Sequence, residues 1–263
     1  MTLYNDSIEP LYPTVLFETK DYAVLNKPIN YVVTPGATYD EASTLVGWLV
    51  ERYGKSIREA CVQGHRPGIV HRLDKDTSGV MVIAKNLETF LHLTAQFATR
   101  TVQKEYKAVC WGNVEKTLEK HNGSRGSSFT IEAPIGRNPH RRTLCAVVKD
   151  GKYAKTMFTI DSVFQYAGQT FTSISAQPQT GRTHQIRVHL KSIGHSILGD
   201  NLYQKKSEKQ LLDTNAEFAS ISTRMYLHAH SLSFIPPHET QEKTFKSPIP
   251  WDIMNSQGNL KLR

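Results

Sequence analysis

Apolar and polar positions alternate in short runs near the start of the chain. Over 14–33, Val15, Phe17, Tyr22 and Val24 alternate with other residues, which predicts short strands separated by turns. Lys27-Pro28 breaks the second run, because proline lacks an amide proton and fixes φ. The period changes at 43–54. There Leu45, Trp48, Leu49 and Tyr53 share a helical face, Ser43 or Thr44 can cap the start, and Gly54 suits the stop. Residues 55–68 read as a loop or short helix ending at Arg66-Pro67-Gly68. After Ile69-Val70 comes a polar segment, 71–79, and then an apolar strand from Val80 to Ala84. Asn86 caps a helix whose predicted inner face is Leu87, Phe90, Leu91, Thr94 and Phe97.

Alternation returns at 102–111 and ends at Gly112. Residues 116–128 are polar and rich in Gly and Ser, which predicts a mobile connection. Three strands are predicted at 129–135, 143–149 and 154–160, with Asp150-Gly151 as a hairpin turn between the last two. A further strand is predicted at 170–176. Over 183–190, Ile186, Leu190 and Ile193 lie at i, i+4 and i+7, so a helix stopping at Gly194 is preferred over a strand. A charged helix at 205–213 and strands at 225–235 and 243–246 complete the pattern. Strands and helices mix without regular βαβ alternation. The expected class is α+β, with a mainly antiparallel mixed sheet and flanking helices. No repeat and no composition shift divides the chain, so one domain over 1–263 is expected, its core at about 14–252.

Composition narrows the function classes. The chain has 263 residues, 39% hydrophobic, with a mean hydropathy of -0.42, enough for a packed core. No apolar run approaches a membrane span. The first ten residues include Asp6 and Glu9 and no apolar stretch, which argues against a signal or transit peptide. Three cysteines (Cys61, Cys110, Cys145) form no CxxC pair, which fits reduced thiols and a cytoplasmic location. A net charge of +8 permits a polyanionic partner but does not require one.

Two polar segments concentrate the chemistry. The first is His71-Arg72-Leu73-Asp74-Lys75-Asp76-Thr77-Ser78-Gly79, a loop between apolar strands. It imitates the start of a calcium loop, but Lys85 stands where a bidentate glutamate is needed, so calcium is rejected. An ordinary Asx/Ser turn remains open. The second runs from Thr180 to His189. On a helix His184, Arg187 and Lys191 form a basic stripe, equally readable as a solvated face. His184, His189 and His195 lack the i, i+4 spacing of a zinc helix, so no metal is expected. A loop carboxylate, a basic helix and a basic chain together point to a carboxylate acting on a nucleic acid or nucleotide.

These residues resemble the RluA-type pseudouridine synthases. Residues 71–79 look like that family's HRLDxxTSG signature, and TGRTHQIRVH at 180–189, followed by Gly194, Gly199-Asp200 and Tyr203, like its second. Asn26-Lys27-Pro28, Lys104 with Tyr106 and Gly112, Leu227-His228-Ala229 and Phe245-Lys246-Ser247-Pro248 also match, in order, over about 14–252. The resemblance implies the pseudouridine synthase catalytic fold with a central RNA-binding cleft. It implies isomerisation of a uridine in ribosomal or transfer RNA, without metal or cofactor.

The resemblance also implies the site. Asp74 matches the catalytic aspartate, Arg187 the arginine that pairs with it, and Tyr106 the tyrosine packed on the base. Arg72 matches the residue that fills the space of the flipped nucleotide. His71, Thr77, Arg182, His184 and Lys191 are the further substrate-binding candidates. Asn26-Lys27-Pro28 begins too early for the S4-like domain that many relatives carry, so RNA affinity is expected from the catalytic domain. Pro178-Gln179 and His195-Ser196 depart from the commoner residues at those places. A monomer without an obligatory protein partner is expected. Two competing classes are a catalytically silent RNA-binding protein and a nucleotide-directed hydrolase.

Overall fold

The computed structural model describes residues 11–36, 38–62, 66–122, 127–218, 221, 223–254 and 259–262. The reading of the first ten residues, and residues 63–65 and 123–126 of two predicted connections, lie outside the described residues.

In chain order the strands and helices are β1 (Thr14–Glu18), β2 (Tyr22–Lys27), α1 (Leu45–Tyr53), β3 (Ser78–Ala84), α2 (Leu87–Thr99) and β4 (Gln103–Trp111). Then come α3 (Val114–Asn122), β5 (Ser128–Glu132), β6 (Ile135–Arg137), β7 (Cys145–Val147), β8 (Lys155–Tyr166) and β9 (Gln169–Pro178). The remainder are α4 (Gln185–Ser192), α5 (Lys206–Thr214), β10 (Leu227–Phe234), β11 (Lys243–Lys246), β12 (Trp251–Met254) and β13 (Asn259–Leu262). The class is α+β, and among the described residues the pairs β1–β2, β2–β3, β4–β9, β5–β8, β6–β7, β8–β9, β10–β11 and β12–β13 are antiparallel.

The chain forms two compact units that divide inside β4, inside β10 and after Pro248. The first comprises Glu9–Lys104 and Ala229–Pro248. Its strand order is β1-β2-β3-β10, with β11 on β10. All seven residues of β3 are buried, as a continuous apolar run on a covered strand requires. Thr44 caps α1 by accepting from the Gly47 amide, and Gly54 at φ 74° ends it, both as the sequence predicts. Asn86 caps α2 in the same way, accepting from Thr89 N at 2.9 Å. The inner face of α2 differs from the prediction. Leu87 and Leu91 are exposed, while Thr89 and Leu93 are buried. The Gln96 amide sets that rotation: its Nε2 donates to Ile235 O and its Oε1 accepts from Ile235 N.

The second unit comprises Glu105–His228 and the segment from Ile249. Its strands run β4-β9-β8-β5, with β6–β7 and β12–β13 as two-stranded pairs. Val109, Phe158, Phe171, Ile174, Ile186, Leu190 and Tyr226 belong to its main core. Two expectations fail here. Much of the predicted mobile connection at 116–128 is helix α3. Asn113 Oδ1 accepts from Lys116 N to start it, and Leu118 packs on the core. Asp150-Gly151 does not join a hairpin of 143–149 with 154–160. β7 pairs with β6, and β8 pairs with β5 and β9. The turn instead returns the chain to Ile135, where a Cβ on Gly151 would meet backbone at 2.6 Å.

Candidate functional site

The candidate residues fall into two groups, one in each unit. In the first unit the loop before β3 alternates in burial. Leu73 is buried, His71 and Asp74 are half-buried, and Arg72 is exposed. His71 Nε2 accepts the Val82 amide at 3.0 Å and its ring stacks on Phe97 at 4.6 Å. An accepting Nε2 places the proton on Nδ1. Burial, with the nearby Lys104 charge, pushes the imidazole down to about 3, so His71 is neutral at physiological pH. Thr77 is buried, and its amide donates to Asp74 O at 3.2 Å, closing the turn that carries the carboxylate.

Two features hold that turn. Gly79 sits at φ 122°, and a Cβ there would lie 2.2 Å from Ala229 O. The closing glycine therefore lets β3 start against the backbone of β10. Lys27 is fully buried at the end of β2. Its Nζ donates to Pro28 O at 2.7 Å, Tyr31 O at 2.9 Å and Lys75 O at 3.1 Å. A buried ammonium is tolerated when its protons are hydrogen-bonded, and these three bonds tie the residue after Asp74 to the strand end. Asn26 Oδ1 in turn accepts from Ser247 Oγ at 2.8 Å.

In the second unit α4 carries Arg187. The guanidinium is 2% exposed and forks onto Asp200, Nε to Oδ2 at 2.7 Å and Nη2 to Oδ1 at 2.8 Å. Asp200 Oδ1 also accepts from the amides of Leu202 and Tyr203. The Tyr203 ring lies 5.1 Å from the guanidinium carbon. This is a buried, bidentate ion pair, not the solvated basic stripe that one reading of the helix allowed. Gly199, at φ 74°, passes so close to Arg224 O that any side chain would collide.

The start of α4 is built without an ordinary cap. His184 has φ 57°, and its side chain accepts no capping hydrogen bond. Gln185 Oε1 instead accepts from Thr180 Oγ1 and from the Arg182 amide. Arg182 Nε donates to Tyr153 O at 2.9 Å. Tyr203 Oη accepts from Cys145 N and is hydrogen-bonded to His184 Nδ1 at 2.9 Å. Lys191 is half-buried in the last turn. Tyr106 is half-buried on β4 opposite Ala176 and packs against the main core. The sequence reading noted Lys27, Asp200 and Tyr203 only as motif members. Their roles as clamp, counter-ion and ring support depend on burial, which no local pattern displays.

A family model described as RNA pseudouridylate synthase matches residues 21–192. Ribosomal large subunit pseudouridine synthase D of Nitrosomonas europaea is 37% identical over 239 residues, covering 91% of this chain and 62% of that protein. The protein of the same name from Zymomonas mobilis is 37% identical over 245 residues, covering 91% and 70%. Among solved structures, human RNA pseudouridylate synthase domain containing 1 superposes with a TM-score of 0.67 at 25% identity, covering 98% of this chain and 89% of that one. The chain thus spans about two thirds of the length of these two bacterial relatives.

Proposed function

The chain belongs to the RNA pseudouridylate synthase family, and from that membership we infer that it isomerises uridine in RNA to pseudouridine. The observation that carries the reading is the family match over 21–192, which contains Asp74, Tyr106 and Arg187. A single catalytic domain over 1–263, its core at about 14–252, is part of this proposal.

The reaction breaks the N1–C1′ bond, turns the base and joins C5 to C1′. The proton lost from C5 is balanced by one gained at N1, so the exchange is redox-neutral. A stacked nucleotide hides both C1′ and C5, so the uridine must leave the stack at a cost of about a few kcal/mol. Asp74 is the carboxylate that opens the glycosidic bond, by attack at C1′ or by removing a sugar proton. The Lys27 clamp on Lys75 O supports this role, because it limits the movement of the loop beside the carboxylate. Tyr106 packs on the base and assists loss of the C5 proton. Arg187 supplies fixed positive charge, and Asp200 holds its guanidinium in one orientation. Exposed Arg72 occupies the space that the uridine leaves. His71 and Thr77 shape the loop from within. Arg182, His184 and Lys191 bind substrate around the start and end of α4.

The names of the bacterial relatives favour ribosomal RNA of the large subunit as the substrate class, with transfer RNA as the other candidate. No helix among the described residues is long and apolar enough to cross a membrane. A cytoplasmic monomer that requires no metal, cofactor or protein partner completes the proposal. RNA tritiated at uridine C5 is expected to release its label with the protein. Asp74→Asn is expected to abolish release while RNA binding survives. Undiminished release by that variant removes Asp74 from the mechanism. Free uracil in place of pseudouridine turns the reading towards a hydrolase.

A further inference from the structure

The strongest concentration of charge lies on the β6–β7 hairpin and the turn after it. Residues 137–152 hold Arg137, Arg141, Arg142, Lys149 and Lys152 against the single carboxylate Asp150. That net +4 in sixteen residues is half of the chain's +8. All five cationic side chains are exposed, and none makes an ion pair among the described residues. The exposed ring of Tyr153 follows directly.

The segment is ordered by its own bonds. Asn138 Oδ1 accepts from the amides of His140 and Arg141, Asn138 N donates to Leu144 O, and Leu144 N donates to Arg141 O. These bonds hold Arg141 and Arg142 at the tip. Below them Ile135, Leu144 and Cys145 are buried in one cluster with Val188 of α4 and Tyr203. Cys145 N donates to the same Tyr203 hydroxyl that reaches His184, and the Tyr203 ring lies against Arg187. The charged hairpin is thus packed on the helix that presents Arg187.

We propose that this hairpin grips the phosphate backbone of RNA flanking the target uridine, at a fixed offset from Arg187. The inference rests on the RNA-modifying reading above and adds the surface that supplies affinity. Unpaired arginine forks suit phosphate oxygens, and phosphate contacts set register without reading sequence. A single-stranded backbone releases counterions when such cations engage it, so the slope of log K against log salt falls by about 0.7 per contact removed.

The test compares the wild type with Arg141→Gln/Arg142→Gln/Lys149→Gln. A control, Lys116→Gln/Lys206→Gln/Lys209→Gln, removes the same charge from exposed positions on α3 and α5. Binding of a fluorescein-labelled unstructured RNA is titrated over a salt series, and single-turnover tritium release is followed at saturating RNA. Circular dichroism confirms that both variants fold. The hairpin variant is expected to lose about tenfold or more in affinity, with a salt slope smaller by about 2, three contacts' worth. Its saturated single-turnover rate should stay within twofold, and the control should retain its affinity. Equal losses in the two variants, or none in the hairpin variant, overturn the grip while leaving the isomerase reading intact. A wild type that binds no RNA overturns both. Selective loss of binding to an acidic peptide, with RNA affinity retained, assigns the hairpin to a protein partner and also overturns it.

Discussion

A guanidinium that is 2% exposed needs a counter-charge from the protein itself, and in its own unit Asp200 supplies one. The sequence showed Arg187 as a cation on a helix. It did not show that the helix turns this face inward, because an arginine at an amphipathic position is usually solvated. Asp200 lies thirteen residues away, beyond any helical spacing, so only the tertiary path through Gly199 brings the pair together. Removing Asp200 takes the bidentate fork from a buried guanidinium. Asp200→Ala is therefore expected to lower unfolding free energy by about 3–5 kcal/mol in a urea titration. A loss below about 1 kcal/mol, the range of surface pairs, would mean that the pair is not desolvated in solution.

Elements were legible where one signal sufficed. The caps Thr44 and Asn86 and the stop at Gly54 stand where the side-chain chemistry places them. Signals that compete across distance were misread. The inward face of α2 is chosen by Gln96 bonding Ile235, not by its most apolar stripe. β7 chooses β6 because Gly151 allows close approach to Ile135, which an Asp-Gly pair alone does not reveal. The 71–79 loop was recognised as chemistry, but the reason for its closing glycine became visible only at β10. With φ 122° and a Cβ 2.2 Å from Ala229 O, Gly79→Ala is strained in conformation and in contact. The conformational part alone costs about 1–3 kcal/mol. The variant should melt earlier, and its RNA-bound rate should fall because Asp74 sits on the displaced turn. An unchanged melting temperature with full activity would show that β3 and β10 separate without cost.

At the scale of the whole molecule, His71, His189 and His195 among the described residues are held towards the neutral form. Desolvation lowers His71, His189 and His195 alike. His189 accepts from Thr156 Oγ1 and donates to Ala133 O, while His195 lies between Trp111 O and Thr117 Oγ1. In the sequence His189 and His195 stand out only through a failed zinc pattern, and His71 as a substrate-binding candidate. In the unfolded chain each titrates near 6.5. Folded, each takes its proton at lower pH, so the unfolded state binds more protons once pH falls below 6.5. The stability they contribute is fully present above that pH and is lost as pH falls towards the folded values, about 3 for His71. Each site steepens the loss by up to about 1.4 kcal/mol per pH unit. Urea midpoints should therefore drop between pH 7.5 and pH 5. His71→Gln keeps an acceptor for the Val82 amide but cannot titrate, so its midpoint should fall less over the same interval. A variant that tracks the wild type across that interval would mean that His71 is protonated in the folded protein, and that its ring is not sealed between Val82 and Phe97.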